Sequence, residues 1–371
     1  GIAGASVLEL FPSLGFLGLR LAGALVALLT IWITYRPLRR LVREDVLQLS
    51  IIILALFIQT EPKDLYYNNF SALLYFLSVV LLFNGLTRHQ GWQVLLSGFV
   101  CMANMYTRTP NLLGLGLGIV ILYAGFLYPG QWKRTWRYVL FFATGAILAN
   151  VVVLLVMKQL GHLDYFIRSI KYLSSMSSTT DKKDGLGGGY GLVKLIYVPV
   201  KQYSMAIASV LLVSSLVLAL AALGRIKQQM PTWVRTGLSL VPPALVAGIA
   251  ALILTGKLKH EMLLYFLTGI SLLFSFLRLL DDSPRELKIL SALGILVILL
   301  HPFGSAPGII TVVIYSMWVS LPIALDYLAG WQSLDLQFSL QTNSALTRSG
   351  WTLGPADLKR ILQAGFFLVC L

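Results

Sequence analysis

Long apolar runs separated by short polar or basic stretches repeat along the whole chain. The first cover about Leu14 to Tyr35, Val46 to Thr60, Leu65 to Leu86, Trp92 to Tyr106 and Leu112 to Tyr128. Further runs cover about Tyr138 to Met157, Ser204 to Leu223, Leu238 to Thr255, Met262 to Leu280, Leu287 to Leu300 and Gly308 to Leu328. Most approach the roughly 20 apolar residues that cross a hydrocarbon core of about 30 Å. A helix satisfies its own backbone polar groups in lipid, so each run predicts a membrane-spanning helix. The pattern predicts an all-α, polytopic bundle of about 11–12 transmembrane helices.

Residues 1–330 read as one multi-span transmembrane domain. Residues 158–202 are the longest stretch in it without a span, and they predict a flexible, non-cytoplasmic loop rich in Ser, Thr and Gly. Loops of that length are often lids or binding loops. The aromatic residues Tyr165, Phe166, Tyr172 and Tyr190 at its flanks suit partial docking on the membrane surface. Residues 331–371 predict a polar loop and then the start of a truncated helix near Ala356. A chain that begins at Gly1 and ends inside an apolar run reads as a fragment truncated at both ends.

Composition sharpens the class: 57% of residues are hydrophobic, 12% are charged, and the mean hydropathy is +0.80. The net charge of +14 does not call for nucleic acid, because the cations gather in short loops between spans. That distribution follows the positive-inside bias, and it places the loop with Arg36, Arg39, Arg40 and Arg43 in the cytoplasm. Cys101 and Cys370 lie far apart in apolar segments, so neither a disulfide framework nor a metal motif is legible.

With that orientation, the residues that topology alone does not explain fall on the opposite face. They include Glu61, Asp64, Tyr66, Tyr67, Asn68 and Asn69, then Arg108 and Asn111 in the knot Thr107-Arg108-Thr109-Pro110-Asn111. Asp164, Tyr165, Arg168 and Lys171 follow, then Lys257, Lys259, His260 and Glu261, then His301. Pro110 disfavours helix at Thr109, so the chain should turn there. Arg108 reads either as a snorkelling side chain in a tight turn or as an anion-binding group at the mouth of a cavity. Arg20, inside an apolar run, is expected to face a cavity or a carboxylate such as Glu9. Small residues at Gly98, Cys101 and Ala103, and on alternate positions from Gly114 to Gly118, predict close helix approach. Cations below a loop at a membrane surface suit a lipid-linked phosphate. Arg binds phosphate through its planar fork, and Lys and His⁺ add charge.

Two stretches resemble GT-C membrane glycosyltransferases, among them protein mannosyltransferases and aminoarabinose transferases. Leu17 to Thr30 with Arg20-Leu21, then Tyr35 and Arg39-Arg40-Leu41, is similar to the family's span after the first external loop. Leu96-Ser97-Gly98 through Arg108-Thr109-Pro110 is similar to a later helix pair that ends on a basic residue before proline. The resemblance covers roughly residues 8–125. It implies transfer of a sugar, with inversion, from a polyprenyl-phosphate donor to a lipid, glycan or protein acceptor. The outer face of a bacterial inner membrane is the implied location.

The resemblance implies donor-phosphate binding by Arg108, and the cations and histidines Lys257, Lys259, His260 and His301 on the same face are candidates to bind the phosphate beside it. Arg20, Tyr66, Tyr67, Asn68, Asn69, Asn111 and Arg168 would line the cavity. The family's catalytic carboxylate would precede Gly1, which leaves Glu61, Asp64 and Asp164 as acidic candidates here. No cofactor is evident, and a divalent metal is admitted by the resemblance alone. Two other readings stand beside this one: a transporter or flippase for a lipid-linked saccharide, and a membrane scaffold without activity.

Overall fold

The computed structural model describes residues 7–58, 67–128, 130–178, 197–212, 260–303, 312–330, 334–338 and 349–353. A 3₁₀ turn, Pro12–Leu14, leads into α1 (Gly15–Leu38). Then come α2 (Glu44–Ile58), α3 (Tyr67–Thr87) and α4 (Gly91–Met105). A 3₁₀ helix, Thr109–Gly118, runs directly into α5 (Ile119–Leu127). The remaining helices are α6 (Trp132–Gln159), α7 (Leu163–Ser178), α8 (197–212), α9 (His260–Leu280), α10 (Arg285–Leu300) and α11 (Ser320–Gly330).

Five of these segments are long and apolar enough to cross a membrane: Pro12–Leu38, Asn68–Thr87, Thr109–Leu127, Trp132–Gln159 and Met262–Leu280. The expected count of about eleven is not reached among the described residues. Helices α2, α4 and α10 have 15, 15 and 16 residues, short of the length that spans a hydrocarbon core. The run expected from Gly308 to Leu328 is divided between a 3₁₀ turn, Val313–Ser316, and α11. The run expected from Leu238 to Thr255 lies outside the described residues, as does the helix expected near Ala356.

Two expectations need correction. Inside the stretch expected to be a flexible loop, residues 163–178 form α7. Its apolar residues Leu163, Phe166, Ile167, Ile170 and Leu173 recur at helical spacing, which the serines around them obscure. Residues 334–338 and 349–353, expected to be polar loop, form an antiparallel hairpin of β1 (Leu334–Phe338) and β2 (Ser349–Leu353). Leu334, Leu336 and Phe338 alternate with Asp335 and Gln337, which is the period of a strand.

The helices bury narrow stripes and leave broad apolar faces outside. Along α6 the buried residues are Thr135, Tyr138, Phe142, Gly145 and Ala149. Their spacing alternates three and four, the seam of two helices packed side by side. Leu140, Ile147, Leu148, Val151, Val152, Leu155 and Val156 of the same helix are exposed. An apolar exterior of this extent is what hydrocarbon, not water, accommodates. By contrast, α3 and α10 are central: Tyr75, Phe76, Ile289, Leu290 and Leu293 are fully buried.

Glycines set the closest approach, between α4 and α6. A Cβ on Gly98 would lie 2.0 Å from the Phe142 carbonyl oxygen, and one on Gly145 would lie 1.9 Å from that of Leu95. Helices α3 and α4 are tied by a reciprocal serine pair. The Ser78 hydroxyl is 3.0 Å from the Ser97 carbonyl, and the Ser97 hydroxyl is 2.8 Å from the Ser78 carbonyl. Ser97→Ala is expected to cost about 1–2 kcal/mol, because it removes hydrogen bonds worth roughly 1 kcal/mol each. A lowered melting temperature in detergent would show this, and an unchanged one would mean that the pair adds nothing.

The two ends of the bundle differ. At one end, Arg278 Nη2 bonds Asp326 Oδ2 at 2.6 Å and the Arg43 backbone N–H donates to Asp326 Oδ1 at 3.2 Å. His89, Tyr128 and Arg285 also meet at this end. The loop cations Arg39, Arg40, Arg88, Lys133, Arg134 and Arg137 share it. The opposite end holds Asn68, Arg108, Asn111 and His301.

Candidate functional site

Helix α4 stops at Met105 because the chain tightens before Pro110. The N–H groups of Tyr106, Thr107 and Arg108 bond the carbonyls of Ala103, Asn104 and Met105, each three residues back. Arg108 itself is extended, with φ −162° and ψ 116°. That turn projects its guanidinium towards the start of α3 and the end of α10. Arg108 Nη1 donates to Asn68 Oδ1 at 3.4 Å and to the His301 carbonyl at 3.3 Å. Its Nη2 donates to the Phe303 carbonyl at 2.8 Å.

His301 is the C-cap of α10, so Arg108 supplies donors to carbonyls that the helix leaves without intrahelical partners. A cation at that terminus also meets the negative end of the helix dipole. These bonds go to an amide oxygen and two carbonyls and orient the guanidinium.

A network of neutral polar groups lies beneath it. Asn111 Nδ2 donates to Ser71 Oγ at 2.7 Å, to Asn104 Oδ1 at 3.1 Å and to Thr107 Oγ1 at 3.2 Å. Asn104 Nδ2 donates to the Ser71 carbonyl at 3.1 Å, which joins α4 to α3. The Tyr75 hydroxyl donates to the Asn111 carbonyl at 3.4 Å. Its ring stands edge-on to that of His301, with centroids 5.1 Å apart. Gly114 makes room for this tyrosine, since a Cβ there would come within 2.7 Å of Tyr75 Cε1.

His301 is fully buried, and its Nδ1 lies 2.9 Å from Ser316 Oγ. Burial, and then the Arg108 cation, lower its pKa, so the ring stays neutral. It therefore enters the site as a hydrogen-bonding group, where the sequence had suggested a cation. The buried acceptor Asn111 Oδ1 and the buried His301 Nε2 have no hydrogen-bond partner.

Helix α7 lies close to this end. Phe166 packs on Tyr106, with ring centroids 5.5 Å apart, and the Tyr106 hydroxyl donates to Asn150 Oδ1 on α6. Asp164, Tyr165 and Arg168 on α7 are exposed, and the Arg168 guanidinium sits 6.0 Å from the Tyr165 ring centroid.

Of the residues singled out from sequence, Asn68, Arg108, Asn111 and His301 come together. Asn69, next to Asn68 at the start of α3, is buried. Arg20 departs from expectation. It is exposed on α1, with its guanidinium 5.9 Å from the Phe16 ring centroid, instead of lining a cavity. Five residues into a helix, its long side chain reaches the helix end along the surface.

Glu61, Asp64, Tyr66, Lys257 and Lys259 lie outside the described residues. Tyr67 and His260 open α3 and α9, and their side chains also lie outside the description. Sequence reading missed Ser71, Tyr75, Asn104, Thr107 and Ser316. A signal was present: Asn68, Ser71, Tyr75 and Ser78 recur at spacings of three and four and mark one face of α3.

Among the described residues no group of three or more His, Cys, Asp or Glu side chains could hold a metal ion. The divalent metal that the resemblance admits therefore finds no ligand set among them. The arrangement offers a fixed cation and neutral hydrogen-bonding groups, which suit an anion. No family model, curated protein or solved structure matches the chain.

Proposed function

We propose that the chain is an integral-membrane glycosyltransferase of the GT-C type. It would move a sugar from a polyprenyl-phosphate donor to a lipid, glycan or protein acceptor at the outer membrane face. The observation that carries this reading is Arg108. Its guanidinium is held by Asn68 and by two backbone carbonyls at the polar end of an apolar bundle, with its planar fork oriented at that end.

In such a transfer the acceptor oxygen bonds to the anomeric carbon as the bond from that carbon to the phosphate oxygen breaks. The acceptor proton passes to a carboxylate, and the polyprenyl phosphate departs as an anion. Arg108 would stabilise that developing charge, the role preorganised donors play in acyl and phosphoryl transfer. Asp164, exposed on α7 near the same end, is the acidic candidate within the described residues. The interior near the site contains amides, hydroxyls and a neutral imidazole, which favours chemistry at the surface over passage of a charged head group through the bundle.

The test uses the full chain in proteoliposomes with a labelled short-chain polyprenyl-phosphate sugar inside or outside. Release of polyprenyl phosphate with the label moved to acceptor supports the transferase. Movement of intact donor between leaflets, with no transfer, overturns it in favour of a flippase.

A further inference from the structure

We propose that the end of the bundle opposite Arg108 carries a binding site for an anionic phospholipid head group, in the groove between the end of α3 and the α5–α6 turn. The groove is lined by His89, Tyr128, Gln131, Arg134, Thr135 and Tyr138; its enclosed part is only about 20 Å³, so a phosphate would seat at its open mouth against the rim. Its floor is apolar, formed by Leu86, Ile121 and Ala124, and its rim is polar.

The rim is built and oriented. Arg134 Nη1 donates to Gln131 Oε1 at 2.9 Å, which fixes the guanidinium at the groove edge. His89 adopts the left-handed conformation, φ 59°, that few residues other than glycine, asparagine and aspartate occupy readily. That backbone sets its ring against Tyr128, with centroids 6.1 Å apart and planes 74° apart. Arg285 also packs on Tyr128, its guanidinium 5.2 Å from the ring centroid. Glu286 also acts on Tyr128, so the local charge is two arginines against one carboxylate.

Charge complementarity and depth name the occupant. Trp132 and Trp136, in the first turns of α6, are 40% and 59% exposed. Exposed tryptophans at a helix end mark the level where lipid head groups lie. Lys133 and Arg137 stand between and beside them and are exposed as well. A basic, hydrogen-bonding groove at that level, with an apolar floor, fits a phosphate diester whose glycerol and chains run down the apolar outer face of α6. Basic pockets between spans on the cytoplasmic side bind lipid head groups in this way.

The experiment is native mass spectrometry of the full chain with equimolar phosphatidylglycerol and phosphatidylcholine. The wild type is expected to retain phosphatidylglycerol in preference. Arg134→Gln is expected to weaken that retention about five-fold, the effect of one cation near a charged surface. Arg40→Gln removes the same charge from the same end, on the α1–α2 turn, and should leave retention unchanged. His89→Asn keeps a residue tolerant of the left-handed backbone but removes the ring, and is also expected to weaken retention. That variant carries the test if Arg134→Gln does not fold. Equal retention of the two lipids, or equal loss in Arg134→Gln and Arg40→Gln, overturns the proposal. None of these outcomes depends on the transferase reading.

Discussion

Arg108→Ala is expected to lower stability by about 2–4 kcal/mol and, on the proposed transferase reading, to abolish transfer. The first effect follows from the three bonds to Asn68, His301 and Phe303, which join the start of α3, the turn after α4 and the end of α10. Hydrogen bonds to a charged group contribute roughly 1.5–3 kcal/mol, and carbonyls left without a donor add to the loss. The side chain is half-buried, so some of that loss is recovered by water.

Arg108→Lys separates the two roles. Lysine keeps the charge but replaces a planar fork with a single ammonium, which cannot bridge Asn68 and two carbonyls while also meeting a phosphate. Its transfer rate is expected to fall by about 10²-fold, the usual effect of removing one preorganised donor from a transition-state anion. Melting temperature in detergent and turnover per folded molecule are the paired measurements. If both variants melt early yet turn over normally once folded, Arg108 is a structural clasp and the phosphate contact is wrong.

Gly145→Ala is expected to have the largest effect of any single methyl added to the bundle. The new Cβ would lie 1.9 Å from the Leu95 carbonyl oxygen, and Gly98→Ala would set one 2.0 Å from that of Phe142. Both obstacles are backbone, so no side-chain rotation relieves them. Helices α4 and α6 must separate, and Phe142 and Ala149 lose contacts along the seam. Overpacking of this kind costs about 1–3 kcal/mol and sometimes more.

The two substitutions act on one contact, so the double variant should cost less than the sum of the singles. Gly330→Ala is the reference, because a Cβ there meets nothing within 4 Å. Thermal melts in detergent that place Gly145→Ala level with Gly330→Ala would refute the close approach.

Much of this was legible in the sequence, and the rest was hidden for identifiable reasons. The helices from α1 to α6 follow apolar runs, and hydropathy reads such runs well because lipid demands them. The convergence of Asn68, Arg108, Asn111 and His301 came from alternation of spans alone. Hydropathy is silent on which carbonyl an N–H chooses. Leu112–Gly118 was therefore read as the start of a span, with no sign that the stretch from Thr109 would be 3₁₀. Its glycines express little local preference, and Tyr75 against Gly114 and the bonds of the Asn111 side chain are tertiary. Asn104 and Ser71 escaped notice because each is a single polar residue inside an apolar run. In α7, serines diluted the periodicity that would have announced a helix.

The 3₁₀ stretch also changes how far the chain reaches. Its ten residues rise about 2.0 Å each where an α-helix would rise about 1.5 Å, a gain of roughly 5 Å. The 19-residue segment Thr109–Leu127 thereby matches a bilayer that the same residues wound as α-helix would only just cross. The bonds of Asn111 and the fit of Tyr75 against Gly114 hold the stretch in this form, so the added reach sets how far Arg108 stands from the far end of its segment.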